Sequence, residues 1–233
     1  MDMIIYSHMG KLIEDISLRD GLHVFEDRKE AGQMLADRLI EYKGSCGVVF
    51  GIPSGGVPIA SEIAGALDIS MDLIIVRKLQ IPYNPEAGFG AVDPDGEVIL
   101  NKGLLNQLRL SEDEIKVQTK KTLDVIKKRN RIFRGGRPYP SLEDKIVIVV
   151  DDGLASGYTM IAACSFLRKK LPREIIVAVP TGSDRTVDFV LPEADKLICL
   201  NVRSGFSFAV ADAYRNWYDL TDKEVIFILG KGT

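Results

Sequence analysis

Histidine is almost absent from the 233-residue chain, with 2 in total, and cysteine is scarce, with 3. Cys46, Cys164 and Cys199 stand far apart in apolar runs, and no CxxC or Cys/His cluster has zinc-binding spacing. This excludes a disulfide framework and a structural zinc site, and makes a reduced, cytoplasmic protein the expectation. His8 and His23 precede the first strong strand signal without partner spacing, so neither is expected to be a metal ligand or a base. No apolar run approaches the roughly 18 to 20 residues of a membrane span, and MDMIIYSHMGKLIED lacks the basic start and apolar core of a secretion signal. A surplus of positive charge is also missing. With 30 Lys plus Arg against 33 Asp plus Glu the net charge is -3, which argues against a nucleic-acid binder with a broad basic face. A polyanionic ligand would have to be held locally, by helix N-termini and oriented amides.

What is present is an alternation of strand and helix signals. Residues 27 to 42, DRKEAGQMLADRLIEY, carry Ala31, Leu35 and Leu39 at helical spacing, and Asp27 with Glu30 fits a capping box. CGVVFGIPSGG then reads as a buried strand ending in a Gly/Pro turn, and VPIASEIAGALD as a helix. MDLIIVRKL, residues 71 to 79, reads as one strand, and the Gly- and Pro-rich stretch up to residue 100 as a loop with one hairpin. Ser111 and Glu114 form a second capping box, opening a charged helix that ends near Gly135. KIVIVV, EIIVAV and KLICLNV are further strands separated by helices. Apolar strands alternating with helices imply an α/β fold, a parallel twisted sheet flanked by helices.

In such sheets ligands bind beyond the carboxyl ends of the strands, which singles out three turns. The first is VIVVDDGLASGYT, residues 147 to 159. Gly153, Ala155, Ser156 and Gly157 let backbone amides approach a phosphate, the helix start adds partial positive charge, and Ser156 and Thr159 offer hydroxyls. Asp151 and Asp152 suit sugar hydroxyls or water on a magnesium ion. A strand ending in Asp-Asp also occurs in P-loop proteins, but GxxxxGK[ST] is absent from the chain. An acidic surface turn before an ordinary helix is the other reading.

This turn resembles the phosphoribosyl pyrophosphate signature of the type I phosphoribosyltransferases. The resemblance implies that Asp151 and Asp152 hold the ribose 2- and 3-hydroxyls, and that Gly153, Leu154, Ala155, Ser156, Gly157, Tyr158 and Thr159 form the segment around the 5-phosphate. The second turn, GIPSGGVP, looks like the pyrophosphate loop of the same family, which implicates Pro53, Ser54, Gly55 and Gly56 and a cis peptide near Ser54-Gly55. A plain turn between strand and helix is its alternative. The third, VRKL, puts Arg77 and Lys78 after an apolar strand, where they suit a leaving pyrophosphate or simply line a solvated edge. With NPEAGFGAV downstream, the chain is similar from DRKEAG to DKEV to a subgroup of phosphoribosyltransferases of unassigned substrate.

Further implications follow from that resemblance. One domain is expected over residues 1–233, with a core about 25–202, a hood about 203–233 and an N-terminal extension 1–24 that decorates the sheet. Phe206, Phe208 and Trp217 are candidate hood residues over the acceptor, although such aromatics also suit a small core. KKRNRIFRGGR, residues 127 to 137, reads as a solvated helix end, with closure over polyphosphate or a subunit contact as alternatives. A mobile loop within residues 79 to 98 is expected to exclude water. Ala155 stands where 6-oxopurine enzymes carry an acid, and LQIPYNPEAG replaces the loop of orotate enzymes, so neither substrate is favoured. The resemblance implies Mg2+, bound mainly through substrate and water near Asp151 and Asp152, a homodimer, and transfer of ribose 5-phosphate to a nitrogen acceptor such as a nucleobase. A regulatory protein that senses the same ligand without catalysis is the alternative.

Overall fold

The computed structural model describes residues 10–205 and 207–230. Its centre is a six-stranded, wholly parallel sheet. In chain order the strands are β1 (Lys11–Glu14), β2 (Gly47–Gly51), β3 (Ser70–Leu73), β7 (Ile146–Val150), β8 (Glu174–Ser183) and β9 (Lys196–Arg203), and across the sheet they run β1-β9-β8-β7-β2-β3. Between β3 and β7, the strands β4 (Arg77–Ile81), β5 (Asn84–Val92) and β6 (Val98–Leu100) form a separate antiparallel sheet.

The continuous apolar runs follow from burial on both faces. Along β7, Ile146, Ile148 and Val150 face a core shared with α1 (Arg28–Arg38) and α2 (Gly56–Leu67). Val147 and Val149 face the opposite core, filled from α5 (Tyr158–Arg168) and α6 (Asp184–Val190). The helix starts match the sequence. The Asp27 carboxylate accepts from the amides of Lys29 and Glu30, and Ser111 with Glu114 makes a reciprocal capping box. Cys164 and Cys199 are buried and unpaired, and burial pushes the Cys164 thiol up to about 12.

Three expectations are corrected. The single strand expected over residues 71 to 79 is two: β3 ends at Leu73, Ile74 to Val76 turn away, and β4 begins the second sheet at Arg77. A run apolar throughout has no period to mark such a break, because Ile74, Ile75 and Val76 are all buried in either case. The expected loop within 79 to 98 is mostly β-sheet, with register shifts on either side of Gln80 that blur the alternation a sequence reading relies on. Within the N-terminal extension expected to decorate the sheet, Lys11–Glu14 instead form one of its strands, β1, pairing parallel with β9 from Lys11↔Lys196 to Glu14↔Cys199.

The antiparallel sheet packs with α3 (Lys102–Leu108), the long α4 (Glu112–Arg134) and α7 (Asp222–Gly230) around a third core that includes Leu79, Phe89, Ile126 and Val225. A buried ion pair fastens α4 to the main sheet. Arg134 donates from Nε and Nη2 to the two carboxylate oxygens of Asp72, each at 2.8 Å, and its guanidinium lies 3.7 Å from the Tyr139 ring centroid. Since the Arg134 side chain is only 1% exposed, Asp72→Asn would strand a buried cation. The expected cost is about 3 kcal/mol, lowering Tm by roughly 6 to 12 °C. Thermal unfolding checks this, and an unchanged Tm would refute the clamp.

Candidate functional site

The chain leaves β2 through α2 toward β3 on one side, and leaves β7 through α5 toward β8 on the other. The β2/β7 boundary is therefore a topological switch point, where two strand-end turns diverge and leave a crevice. Gly51 is in register with Val150, so the turn after β2 lies beside Asp151 and Asp152. A cleft of about 460 Å³ opens there, lined by Pro53 to Gly55, Arg77, Lys78, Arg129, Asp151 to Gly157 and Thr159. Arg28, Val210, Trp217, Asp219 and Leu220 complete its wall. The turns after β2 and β7 meet in this cleft with Arg77 and Lys78, which open β4 rather than follow a strand.

Two glycines make the juxtaposition possible. A Cβ on Gly55 would stand 1.8 Å from Asp152 Oδ2, and one on Gly56 would stand 2.4 Å from the Val150 carbonyl oxygen. Neither position has room for a side chain unless the acid-bearing turn shifts. The amide role expected of Gly56 is corrected, because its N–H donates to the Ile52 carbonyl at 3.0 Å to close the turn. The peptide in the cis form is Pro53-Ser54, one residue before the expected position.

On the other side of the cleft, the segment from Gly153 to Thr159 is held from below. The Leu154 amide donates to the Thr181 carbonyl at 2.9 Å, and Thr186 Oγ1 donates to the Ala155 carbonyl at 2.8 Å. Gly157 takes φ +81 at the start of α5. Among the described residues, no protein acceptor takes the amides of Ser156, Gly157, Tyr158 or Thr159. These donors lie at the positive end of a helix dipole, an arrangement suited to a phosphate. The Tyr158 side chain does not line the cleft but packs on Phe189, with ring centroids 5.2 Å apart.

The acid pair is asymmetric. The Asp151 carboxyl is pushed well above the usual carboxylate range, first by burial and then by the Asp152 charge. Burial also raises Asp152, but Arg28 opposes it, donating from Nε at 3.0 Å and from Nη2 at 2.9 Å to the same oxygen, Oδ2. Tyr214 fixes the backbone of the same residue by donating its hydroxyl to the Asp152 carbonyl at 2.6 Å. Arg77, Lys78 and Arg129 line the same cleft. Burial, then the neighbouring Arg129, pulls the Arg77 guanidinium below its ordinary value, with the Asp222 carboxylate opposing. Arg129 reaches in from α4, donating to Ser54 Oγ at 2.8 Å and to Asp222 at 2.9 Å.

The basic run is thus corrected at two residues, since Arg129 lines the cleft and Arg134 is buried against Asp72 rather than forming a solvated helix end. Arg28, Asp219 and Leu220 were not singled out in the sequence either. Arg28 carried one local signal: it is a cation in the first turn of α1, where the helix dipole disfavours positive charge. Of the candidate hood aromatics, Trp217 lines the cleft, with Arg28 3.9 Å from its ring centroid. Phe208 lies near Arg203 instead, at 5.3 Å, and Phe206 lies outside the described residues. His23 bonds the Tyr214 carbonyl through Nδ1 at 2.9 Å, away from the cleft, and His8 lies outside the described residues. Among the described residues, no group of three or more His, Cys, Asp or Glu could hold a metal ion by itself, and no helix is long and apolar enough to cross a membrane.

A model of the phosphoribosyl transferase domain family matches residues 25–214. Two proteins of Mycobacterium tuberculosis, from strains CDC 1551 and H37Rv, bear provisional phosphoribosyl transferase names and are each 38% identical over 210 residues, covering 90% of this chain and 47% of theirs. The chain spans about half the length of the curated relatives it matches. The crystal structure of TT1426 from Thermus thermophilus is 35% identical, with a TM-score of 0.72 over 89% of this chain and 98% of that one. The family match spans five of the six strands of the main sheet and both turns of the switch-point crevice: the chain belongs to the phosphoribosyl transferase domain family, and its fold is that of the type I enzymes.

Proposed function

We propose that the protein transfers the ribose 5-phosphate group of phosphoribosyl pyrophosphate to a nitrogen acceptor, a nucleobase or related amine, with release of pyrophosphate. One observation carries the reading: a single cleft is lined by the helix-start amides, by Asp151 and Asp152, which directly precede that segment and lie against Gly55, and by the cations Arg77, Lys78 and Arg129, of which Arg129 bonds Ser54 next to Gly55. The molecule that matches this sequence of charges has a phosphate at one end, neutral hydroxyls in the middle and a polyphosphate at the other end.

In the transfer, the bond from the anomeric carbon to the pyrophosphate oxygen breaks and its electron pair leaves with the pyrophosphate. The nitrogen lone pair forms the new bond at that carbon and the nitrogen gives up its proton. Asp151 and Asp152 hold the ribose hydroxyls, and the amides and hydroxyls from Ser156 to Thr159 hold the 5-phosphate. Arg77, Lys78, Arg129 and the Ser54 hydroxyl neutralise charge developing on the leaving group, which a preorganised site does without reorganisation. Trp217 and Leu220 stand on the acceptor side, next to an apolar recess of about 370 Å³ that shares Arg28 and Leu220 with the cleft.

Mg2+ fits this donor set. Two carboxylates without a third suit an ion that takes most of its ligands from substrate oxygens and water, with Asp151 and Asp152 accepting from that water. When bound, it would supply further neutralisation of the pyrophosphate charge.

The deciding experiment incubates the protein with phosphoribosyl pyrophosphate, Mg2+ and a panel of purines, pyrimidines and small amines, and follows pyrophosphate. Release dependent on one acceptor class is expected. Binding without turnover on any acceptor would favour the sensing reading, and absence of binding would end both.

A second expectation concerns Asp151. Its folded-state carboxyl is raised, so the protonated form is favoured on folding. That contribution to stability is complete below the ordinary value of 3.8 and is lost as the pH rises through the folded value. Asp151→Asn should therefore raise Tm by about 2 to 4 °C at neutral pH, with the gain vanishing toward pH 4, while weakening phosphoribosyl pyrophosphate binding at least tenfold. Calorimetry across pH checks both, and a lowered Tm at neutral pH would contradict the charge assignment. The companion proposals are a reduced cytoplasmic setting and a homodimer; sedimentation at monomer mass would remove the latter.

A further inference from the structure

Arg28 is unusual in three respects. It sits in the first turn of α1, against the helix dipole, yet it is 6% exposed. Its fork does not straddle a carboxylate in the common bidentate way, because Nε and Nη2 both donate to Oδ2 of Asp152 and leave Oδ1 outside the fork. Its third nitrogen, Nη1, donates to the Tyr218 carbonyl at 2.9 Å, and the guanidinium lies on the Trp217 ring. One side chain thus joins α1, the acid-bearing turn after β7 and the segment from Tyr214 to Leu220 that walls the acceptor side of the cleft.

Packing alone does not account for this arrangement. Arg134 is also buried between an acid and an aromatic ring, but both partners of Arg28, Asp152 and Trp217, line the cleft, which gives its ion pair a place in the site and not only in the fold. We infer that Arg28 is a positioning residue: it pins one oxygen of Asp152 so that the other faces the ribose, and it couples that acid to the Trp217 segment on the acceptor side. The inference rests on the transferase reading above. It explains why Trp217 is poorly placed to stack a flat base on the face that Arg28 covers, and it assigns that ring to holding the guanidinium level with the carboxylate.

The consequence is a split between ligands. Inorganic phosphate should occupy the cradle from Ser156 to Thr159, which Arg28 does not touch, whereas ribose 5-phosphate should need both cradle and acid. The test titrates the full chain with each ligand by calorimetry, as wild type, Arg28→Gln, Arg28→Lys, Asp152→Asn and the Arg28→Gln, Asp152→Asn double variant. Arg28→Gln is expected to weaken ribose 5-phosphate about tenfold while leaving phosphate within about twofold. Arg28→Lys, which retains the charge but not the fork, should lose about threefold for ribose 5-phosphate alone and keeps the test available should the glutamine variant fail to fold. In the double variant, loss of Arg28 should add less than about twofold to the effect of Asp152→Asn, since both would remove the same interaction.

Equal losses for the two ligands would mean that Arg28 merely supports the fold, and fully additive losses in the double variant would mean that it does not act through Asp152. Either result overturns the inference. Wild-type protein that binds ribose 5-phosphate no tighter than phosphate would instead overturn the transferase reading, and the role of Arg28 with it.

Discussion

Asp152 is the point at which three distant parts of the chain meet, and the cleft depends on how its carboxylate is accommodated. Gly55 makes room for it from the β2 side, Arg28 neutralises it from α1, and the Tyr214 hydroxyl secures its carbonyl from the C-terminal segment. Burying an acid is costly unless it is paired and hydrogen-bonded, and here the pairing is uneven. Burial raises both carboxyls, and Asp151, which Arg28 does not bond, is the one pushed well above the usual range. Perturbed groups of this kind concentrate where a protein keeps polar atoms for a ligand rather than for itself.

The cations of the cleft are arranged on the same principle. After burial, the Arg129 charge disfavours that of Arg77, and Asp222 opposes it. The two arginines converge from different elements, β4 of the small sheet and the last turns of α4, and the Asp72–Arg134 pair ties α4 to the edge of the main sheet. Stability at that buried pair is therefore linked to geometry in the cleft. The arrangement is also compatible with a net charge of -3, because Arg77, Lys78 and Arg129 gather in one crevice, as the proposed polyanionic ligand requires.

Much of this architecture is legible in the order of residues. The parallel strands announce themselves as apolar runs, the caps at Asp27 and Ser111 as polar residues followed by Glu30 and Glu114, and the turn from Asp151 to Thr159 as acids followed by small and hydroxyl residues. The failures have a common cause. The break after Leu73, the strands β4 to β6 and the edge strand β1 involve residues whose local pattern is compatible with more than one partner, and pairing is chosen by the rest of the sheet. Arg28 and Arg129 each sit in a helix whose charges read as solvated, and only packing turns them inward.

The sequence by itself determined the α/β alternation, the two strand-end turns and the run of acids, small residues and hydroxyls from Asp151 to Thr159, because periodicity, capping and turn composition are short-range properties written in neighbouring residues. The tertiary structure alone decided which turns face each other, which acid receives a cation and which arginines enter the cleft. Those outcomes depend on strand order and on close approach at Gly55 and Gly56, where contacts join residues far apart in the chain.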